Sequence, residues 1–279
     1  MKKSREAARQ FEQLLEIMVC LRSPWGCPWD RSRSKEDIIN YFLEETYEAI
    51  DALCSEKVEA AREELGDVLM EIVFLTLFYD EAGHFPMAEV IENINKKMIK
   101  RHPHVFGRLK KASQEEIVAD WQRHKMEEKK RDSVLEGVPA SAPALLYAFL
   151  LGQRAAAHGF DWPEAGQALE KVEEELGEFR QALQSGKKAE IAEELGDLFF
   201  SLSQVARLLG YNPEIILRAA NKKFEARFRQ MEKEIKKKGK KLGSCSAEEL
   251  DQAWEKVKTK KTKTHSRTKK TKNITGKKA

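Results

Sequence analysis

Two stretches decide the fold: Leu43-Glu-Glu-Thr-Tyr-Glu48 followed by Glu64-Leu-Gly-Asp67, and Lys171-Val-Glu-Glu-Glu-Leu-Gly-Glu178 followed by Glu194-Leu-Gly-Asp197. Glu44, Glu45, Glu48, Glu64 and Asp67 recur as Glu174, Glu175, Glu178, Glu194 and Asp197, each 130 residues later. Working outward, Asn95-Lys-Lys-Met-Ile-Lys-Arg101 is echoed by Asn221-Lys-Lys-Phe-Glu-Ala-Arg227, and Trp121-x-x-x-Lys125 by Trp254-x-x-x-Lys258. The loops Cys27-Pro-Trp-Asp30 and Phe160-Asp-Trp-Pro163 are also alike. Self-similarity of this kind predicts a tandem duplication. The expected layout is an N-terminal domain at 1–130, a linker at 131–143 with two prolines and a glycine, a C-terminal domain at 144–258, and a tail at 259–279.

The fold class expected for both copies is all-α. Only 15 Gly and 8 Pro interrupt 279 residues, which favours long helices over hairpins. Ser34 with Asp37 at the capping position starts a helix reaching about Leu53, and another runs from about Val58 to Ala82. Pro86 opens a further helix that stops before Pro103, and Ser113-x-x-Glu116 opens one across Trp121 and Lys125. Each copy therefore reads as helix, loop, two long antiparallel helices and two shorter ones.

Composition bounds the rest. Charged residues make up 34% and hydrophobic ones 41%, as in a charged-surface globular protein. No run of about 18 apolar residues exists to span a membrane, and the start MKKSREAARQFEQ has no apolar signal core. The expected location is the cytoplasm. Cys20, Cys27, Cys54 and Cys245 lack zinc or disulfide spacing and are expected to be reduced thiols. Nine of the 50 basic residues lie between Thr259 and Ala279, leaving 41 basic against 46 acidic in the body. That tail has too little apolar surface to offset its ordering entropy and is expected to be disordered. Two readings of it stay open: a basic arm attracting nucleic acid or acidic partners, and a solvated tail with no specific role.

The acidic repeats carry the chemistry. Residues three and four apart share a helix face, so Glu44, Glu45 and Glu48 project within about 100° of one another, and Glu64 and Asp67 project together from the next helix. Four carboxylates converging from antiparallel helices repel unless a cation joins them, and hard oxygen ligands suit Mg²⁺ or Mn²⁺. Ordinary solvated helix faces are the plain alternative. Against it, the helices after Asp67 (Val68, Leu69, Ile72, Val73, Phe74) and Asp197 (Leu198, Phe199, Phe200, Leu202) are apolar nearly all round and are expected to be buried. Gly66 and Gly196 inside helices point to a close approach there. A di-iron bundle needs Glu-x-x-His pairs, which neither copy has. Lys97 with Arg101, and Lys223 with Arg227, lie four apart and can face one anionic group, or simply salt-bridge to neighbouring glutamates. Trp254 and Lys258 can add an aromatic face and another cation.

Taken together, Gly26-Cys-Pro-Trp-Asp30, Leu43-Glu-Glu-Thr-Tyr-Glu-Ala49, Glu64-Leu-Gly-Asp67 and Arg101-His-Pro-His-Val-Phe106 resemble the MazG family of nucleoside triphosphate pyrophosphohydrolases, from Phe11 to Lys258. The resemblance implies two MazG-like helical domains working as a homodimer, with Mg²⁺ needed to hydrolyse a nucleoside triphosphate to monophosphate and pyrophosphate. It implies metal ligands Glu175, Glu178, Glu194 and Asp197, with Glu45, Glu48, Glu64 and Asp67 in the first copy. It places Lys223, Arg227, Trp254 and Lys258 at nucleotide-contacting positions, with Lys171 and Glu174 nearby. Glu174 or Glu175 would accept a proton from water. The expected role is nucleotide-pool cleaning or alarmone-linked regulation. A non-catalytic helical adaptor with a nucleic-acid-binding tail is the alternative.

Overall fold

The computed structural model describes residues 2–55, 57–107 and 133–272, which form eleven α-helices, one short 3₁₀ turn and no strand. The chain divides into two compact units, Met1–His124 and Lys125–Ala279. No described helix is long and apolar enough to cross a membrane, and the four cysteines are free thiols.

The first unit comprises α1 (Lys2–Arg22), α2 (Pro28–Ser32), α3 (Lys35–Cys54), α4 (Val58–Glu81), α5 (Met87–Arg101) and α6 (Pro103–Phe106). The predicted capping box starts α3: the Ser34 hydroxyl accepts from the Asp37 amide at 3.1 Å, and the Ser34 amide donates to the Asp37 carboxylate at 2.9 Å. These bonds hold the Asp37 carboxyl below its ordinary range. Only residues 55–57 separate α3 from α4, so the two pack as an antiparallel hairpin. Met18 of α1, Ile38 of α3, and Val73 and Phe74 of α4 meet in the core, each burial contributing roughly 1.5–3 kcal/mol. α5 stops at Arg101 ahead of Pro103, and the His102 ring bonds back to the Met98 carbonyl at 2.7 Å, a structural role. The helix expected across Trp121 and Lys125 lies outside the described residues.

The second unit comprises α7 (Ala144–Ala156), α8 (Ala165–Ser185), α9 (Lys188–Leu208), α10 (Pro213–Lys237), a 3₁₀ turn (Leu242–Ser244) and α11 (Ala247–Lys272). α8 ends at Gly186, whose φ of 69° is the left-handed conformation that terminates a helix, and α9 begins two residues later. The resulting hairpin repeats that of α3 and α4. α10, at 25 residues, is longer than the short helix expected. Asn212 caps it by accepting from the Glu214 and Ile215 amides, Pro213 fits its first turn, and no later Gly or Pro stops it before Lys238. Its length carries Met231 and Ile235 against Ala253 and Val257 of α11. Composition predicts no order from Thr259 onward. The backbone of α11 is helical as far as Lys272, and the sequence after Val257 has too few apolar residues to add to a core, as that composition implies. Val257 is the last buried side chain among those described.

One arginine ties the aromatic loop of each unit. In the first, Arg22 on α1 donates to the Asp30 carbonyl at 3.0 Å and to Glu81 at 2.7 Å, its guanidinium lying over the Phe78 ring. In the second, Arg207 on α9 donates to Asp161 at 3.0 Å and to Gln204 at 2.9 Å, holding the Asp161 carboxyl below its ordinary range. Gln204, 1% exposed, donates in turn to the Ala148 carbonyl.

The expectation that α4 and α9 are buried all round needs correction. Leu69 and Ile72 are 41% and 38% exposed, and Phe199, Phe200 and Leu202 are 54%, 40% and 46% exposed. Hydrophobic periodicity shows that a face avoids water, not which neighbour covers it. Within one chain each helix buries only one side.

Candidate metal centres

The hairpins bring the acidic motifs together as their spacing predicts, with one refinement. In the first unit, one carboxylate oxygen from each of Glu45, Glu64 and Asp67 lies within 4.8 Å of the others; in the second, the trio is Glu175, Glu194 and Asp197. Glu48 and Glu178 fall outside these trios and are exposed. They adjoin them, since the Glu48 charge acts on Glu64 and the Glu178 charge on Glu194.

Carboxylates this close resist ionising together. Burial, then repulsion from Asp67, Glu48 and Glu64, pushes the Glu45 carboxyl up; burial and neighbouring acids raise Glu64 and Glu194 likewise. An all-oxygen donor set that repels itself fits a hard divalent cation. The residues present therefore fit Mg²⁺ or Mn²⁺.

Lys171 sits against the second trio rather than apart from it. Its ammonium donates to Glu174 at 2.8 Å and lies 2.7 Å from Glu175, and these bonds raise its basicity. Glu175 is buried, whereas Glu174 is exposed and outside the trio.

On α10, Lys223 is exposed and Arg227 half-buried. Among the described residues neither is in an ion pair, and the Arg227 Nε is buried without a hydrogen-bond partner. Salt bridging to nearby glutamates therefore does not account for this pair. Trp254 packs against Phe224, ring centres 5.2 Å apart, so its indole flanks the helix that carries both cations. Lys258 pairs with Glu255 on its own helix. Lys97 is exposed on α5 and lines a groove of about 350 Å³, while Arg101 is half-buried.

Two expectations change. A Cβ at Gly66 or Gly196 would meet nothing within 4 Å, so no close approach inside the chain explains these glycines. Tight approaches lie elsewhere: a Cβ at Gly26 would come within 2.2 Å of the Cys20 and Leu21 carbonyl oxygens, and one at Gly152 within 1.7 Å of the Gln204 amide oxygen. One acid was also missed. Glu71 of α4 is 5% exposed, and burial followed by repulsion from Glu45 and Asp67 lifts its carboxyl to about 7. Its signal was the four-residue step from Asp67, which places both on one helix face.

Comparison with known proteins follows the same division. Residues 33–106 match the family profile described as MazG nucleotide pyrophosphohydrolase domain, and residues 150–224 match that of phosphoribosyl-ATP pyrophosphohydrolase. The Thermotoga maritima nucleoside triphosphate pyrophosphohydrolase/pyrophosphatase MazG is 41% identical over 256 residues, covering 91% of this chain and 98% of the relative. The Escherichia coli K12 nucleoside triphosphate pyrophosphohydrolase is 39% identical over 257 residues, covering 89% and 97%. The uncharacterized Bacillus subtilis protein YabN is 34% identical over 252 residues, covering 89% of this chain and 52% of its own length. With near-complete coverage of the Thermotoga maritima and Escherichia coli relatives and an acidic hairpin in each half, the chain belongs to the MazG family of nucleoside triphosphate pyrophosphohydrolases.

Proposed function

We propose that the chain hydrolyses nucleoside triphosphates between the α- and β-phosphates in a Mg²⁺-dependent reaction, Mn²⁺ substituting, and that each acidic trio is a metal centre. The observation that carries this reading is the convergence of three carboxylates within 4.8 Å on each hairpin. Glu175, Glu194 and Asp197 would hold the cation in the second unit, and Glu45, Glu64 and Asp67 in the first, with Glu178 and Glu48 adjoining. When bound, the metal supplies charge neutralisation on the polyphosphate and acidifies a water molecule. Glu174, exposed and oriented by Lys171, accepts the proton of the attacking water. The water oxygen bonds to the α-phosphorus, the α–β bridging bond breaks, and its electron pair leaves with pyrophosphate. Lys223 and Arg227 bind the triphosphate, Arg227 through guanidinium nitrogens that include its unsatisfied Nε. Trp254 offers the base an apolar wall, with Lys258 as a further phosphate contact.

The exposed aromatic face of α9 supports a homodimer. Phe199 and Phe200 line a groove of about 470 Å³ with Leu145, Leu151 and Leu217, and an apolar surface of this kind marks an interface. We place the enzyme in the cytoplasm, acting on the nucleotide pool or on alarmone nucleotides.

The test is product analysis with a panel of triphosphates and Mg²⁺, on the wild type and on Glu45→Gln and Glu175→Gln. Monophosphate and pyrophosphate should appear together and vanish with chelator; release of orthophosphate instead would sink the reading.

A further inference from the structure

The two acidic trios differ in what stands beside them. In the second unit Lys171 lies one turn of α8 before Glu175, with its ammonium nitrogen 2.7 Å from the Glu175 carboxylate and 2.8 Å from that of Glu174. In the first unit the matched position is Tyr41, four residues before Glu45, whose uncharged ring stacks on Trp29. A divalent cation held by Glu175 and an ammonium on the same carboxylate are like charges drawn to one anion, and each weakens the hold of the other. Burial decides which group yields. The Glu175 side chain is 7% exposed and fixed, whereas that of Lys171 is 36% exposed on a flexible four-carbon stem. Glu174, exposed and outside the trio, can keep the lysine while it leaves Glu175. An ammonium has three donors, so one released from Glu175 is free for the oxygens of an anionic ligand.

We infer that Lys171 is an exchangeable counter-ion of the second centre: without nucleotide it opposes metal binding at Glu175, and with nucleotide it passes from Glu175 to the triphosphate. This rests on the proposed reading of the trios as metal centres and of a nucleoside triphosphate as substrate. Metal and nucleotide then favour each other's binding at the second centre, each removing what stands against the other. The first centre, with Tyr41 in place of the lysine, takes its metal without that coupling.

The experiment uses the full chain carrying Glu45→Gln, which disables the first centre, titrated with Mn²⁺ while free Mn²⁺ is followed by electron paramagnetic resonance. Without nucleotide, adding Lys171→Met should tighten Mn²⁺ binding by about tenfold, the scale on which a neighbouring unit charge shifts the affinity of a carboxylate for a cation. Lys171→Arg, which keeps the charge, should leave it unchanged. At saturating Mn²⁺ the methionine should weaken binding of α,β-methylene-ATP, which cannot be cleaved at that bond, by about tenfold through the lost charge-assisted contact. The two shifts are opposite in sign, whereas a merely structural Lys171 would weaken both. Mn²⁺ affinity that is unchanged or lower in Lys171→Met, or analogue affinity that does not fall, would overturn the exchange and leave the trio reading standing. A Glu45→Gln chain that binds no Mn²⁺ would overturn the second trio as a metal centre together with the exchange. Lys171→Gln also removes the charge and should shift both affinities in the same directions, so the result stands even if the methionine variant folds poorly.

Discussion

The first and second units share a hairpin and an acidic trio, yet they balance charge in opposite ways. In the second, Lys171 is bound to Glu174 and Glu175 before any ligand arrives. The matched position in the first unit is Tyr41, whose ring stacks on Trp29, and a further buried acid, Glu71, joins the anions there. The second centre carries part of its own counter-charge, and the first depends on charge from outside. Duplication kept the ligand geometry while letting the resting electrostatics diverge.

Turnover offers the largest test of this contrast. Glu175→Gln should reduce pyrophosphate release at the second centre by about a hundredfold or more, since even groups that only orient a metal ligand cost 10–100-fold. Glu45→Gln does the same at the first. The ratio of the two losses, read by steady-state kinetics, says how catalysis is shared between the copies. Next in size is Gly152→Ala, which drives a methyl group into Gln204 and should cost the second unit about 1–3 kcal/mol in urea denaturation. A neutral result there would show that the Gln204–Arg207 network yields easily. Lys171→Met, which makes the second centre resemble the first, should destabilise the metal-free protein by about 1 kcal/mol, the partial exposure of the lysine limiting the effect. It should also steepen the stabilisation that Mn²⁺ confers, read as the shift in melting temperature.

The last test is pH-dependent and concerns Glu71 of the first unit. Glu71 titrates near 7 when folded, against an ordinary value of 4.5. Between those values the folded state keeps a proton that the unfolded state has released, so metal-free stability should fall as pH rises from about 4.5 through about 7. Urea midpoints measured in chelator across that window should flatten in Glu71→Gln.

Much of this architecture is legible in the residues. Ser34 with Asp37 marks the start of α3, Pro103 marks the end of α5, and the spacing of Glu45, Glu64 and Asp67 places three oxygens together across two helices. Glu71 escaped notice because it sits in the run Val68–Phe78, where every neighbour speaks for core and one charged residue looks like an interruption. Gly152 escaped because its need for space arises from Gln204, 52 residues away in sequence, and no local pattern encodes that meeting. The exposed faces of α4 and α9 were misjudged for a different reason: hydrophobicity records a preference to leave water without naming what will cover it. The length of α10 was underestimated because a helix with no internal stop signal ends where its packing ends, here with Ile235 on α11.

The tight connection through Gly186 has a consequence for how the enzyme is made. It confines a whole trio to one helical hairpin, so the groups that meet are joined by a short loop of chain, and such local contacts form fastest in folding. Each centre can take shape as soon as its own hairpin leaves the ribosome, without waiting for α10 and α11. A unit that assembles from its own neighbours survives being copied end to end, because neither copy needs the other to find its ligands.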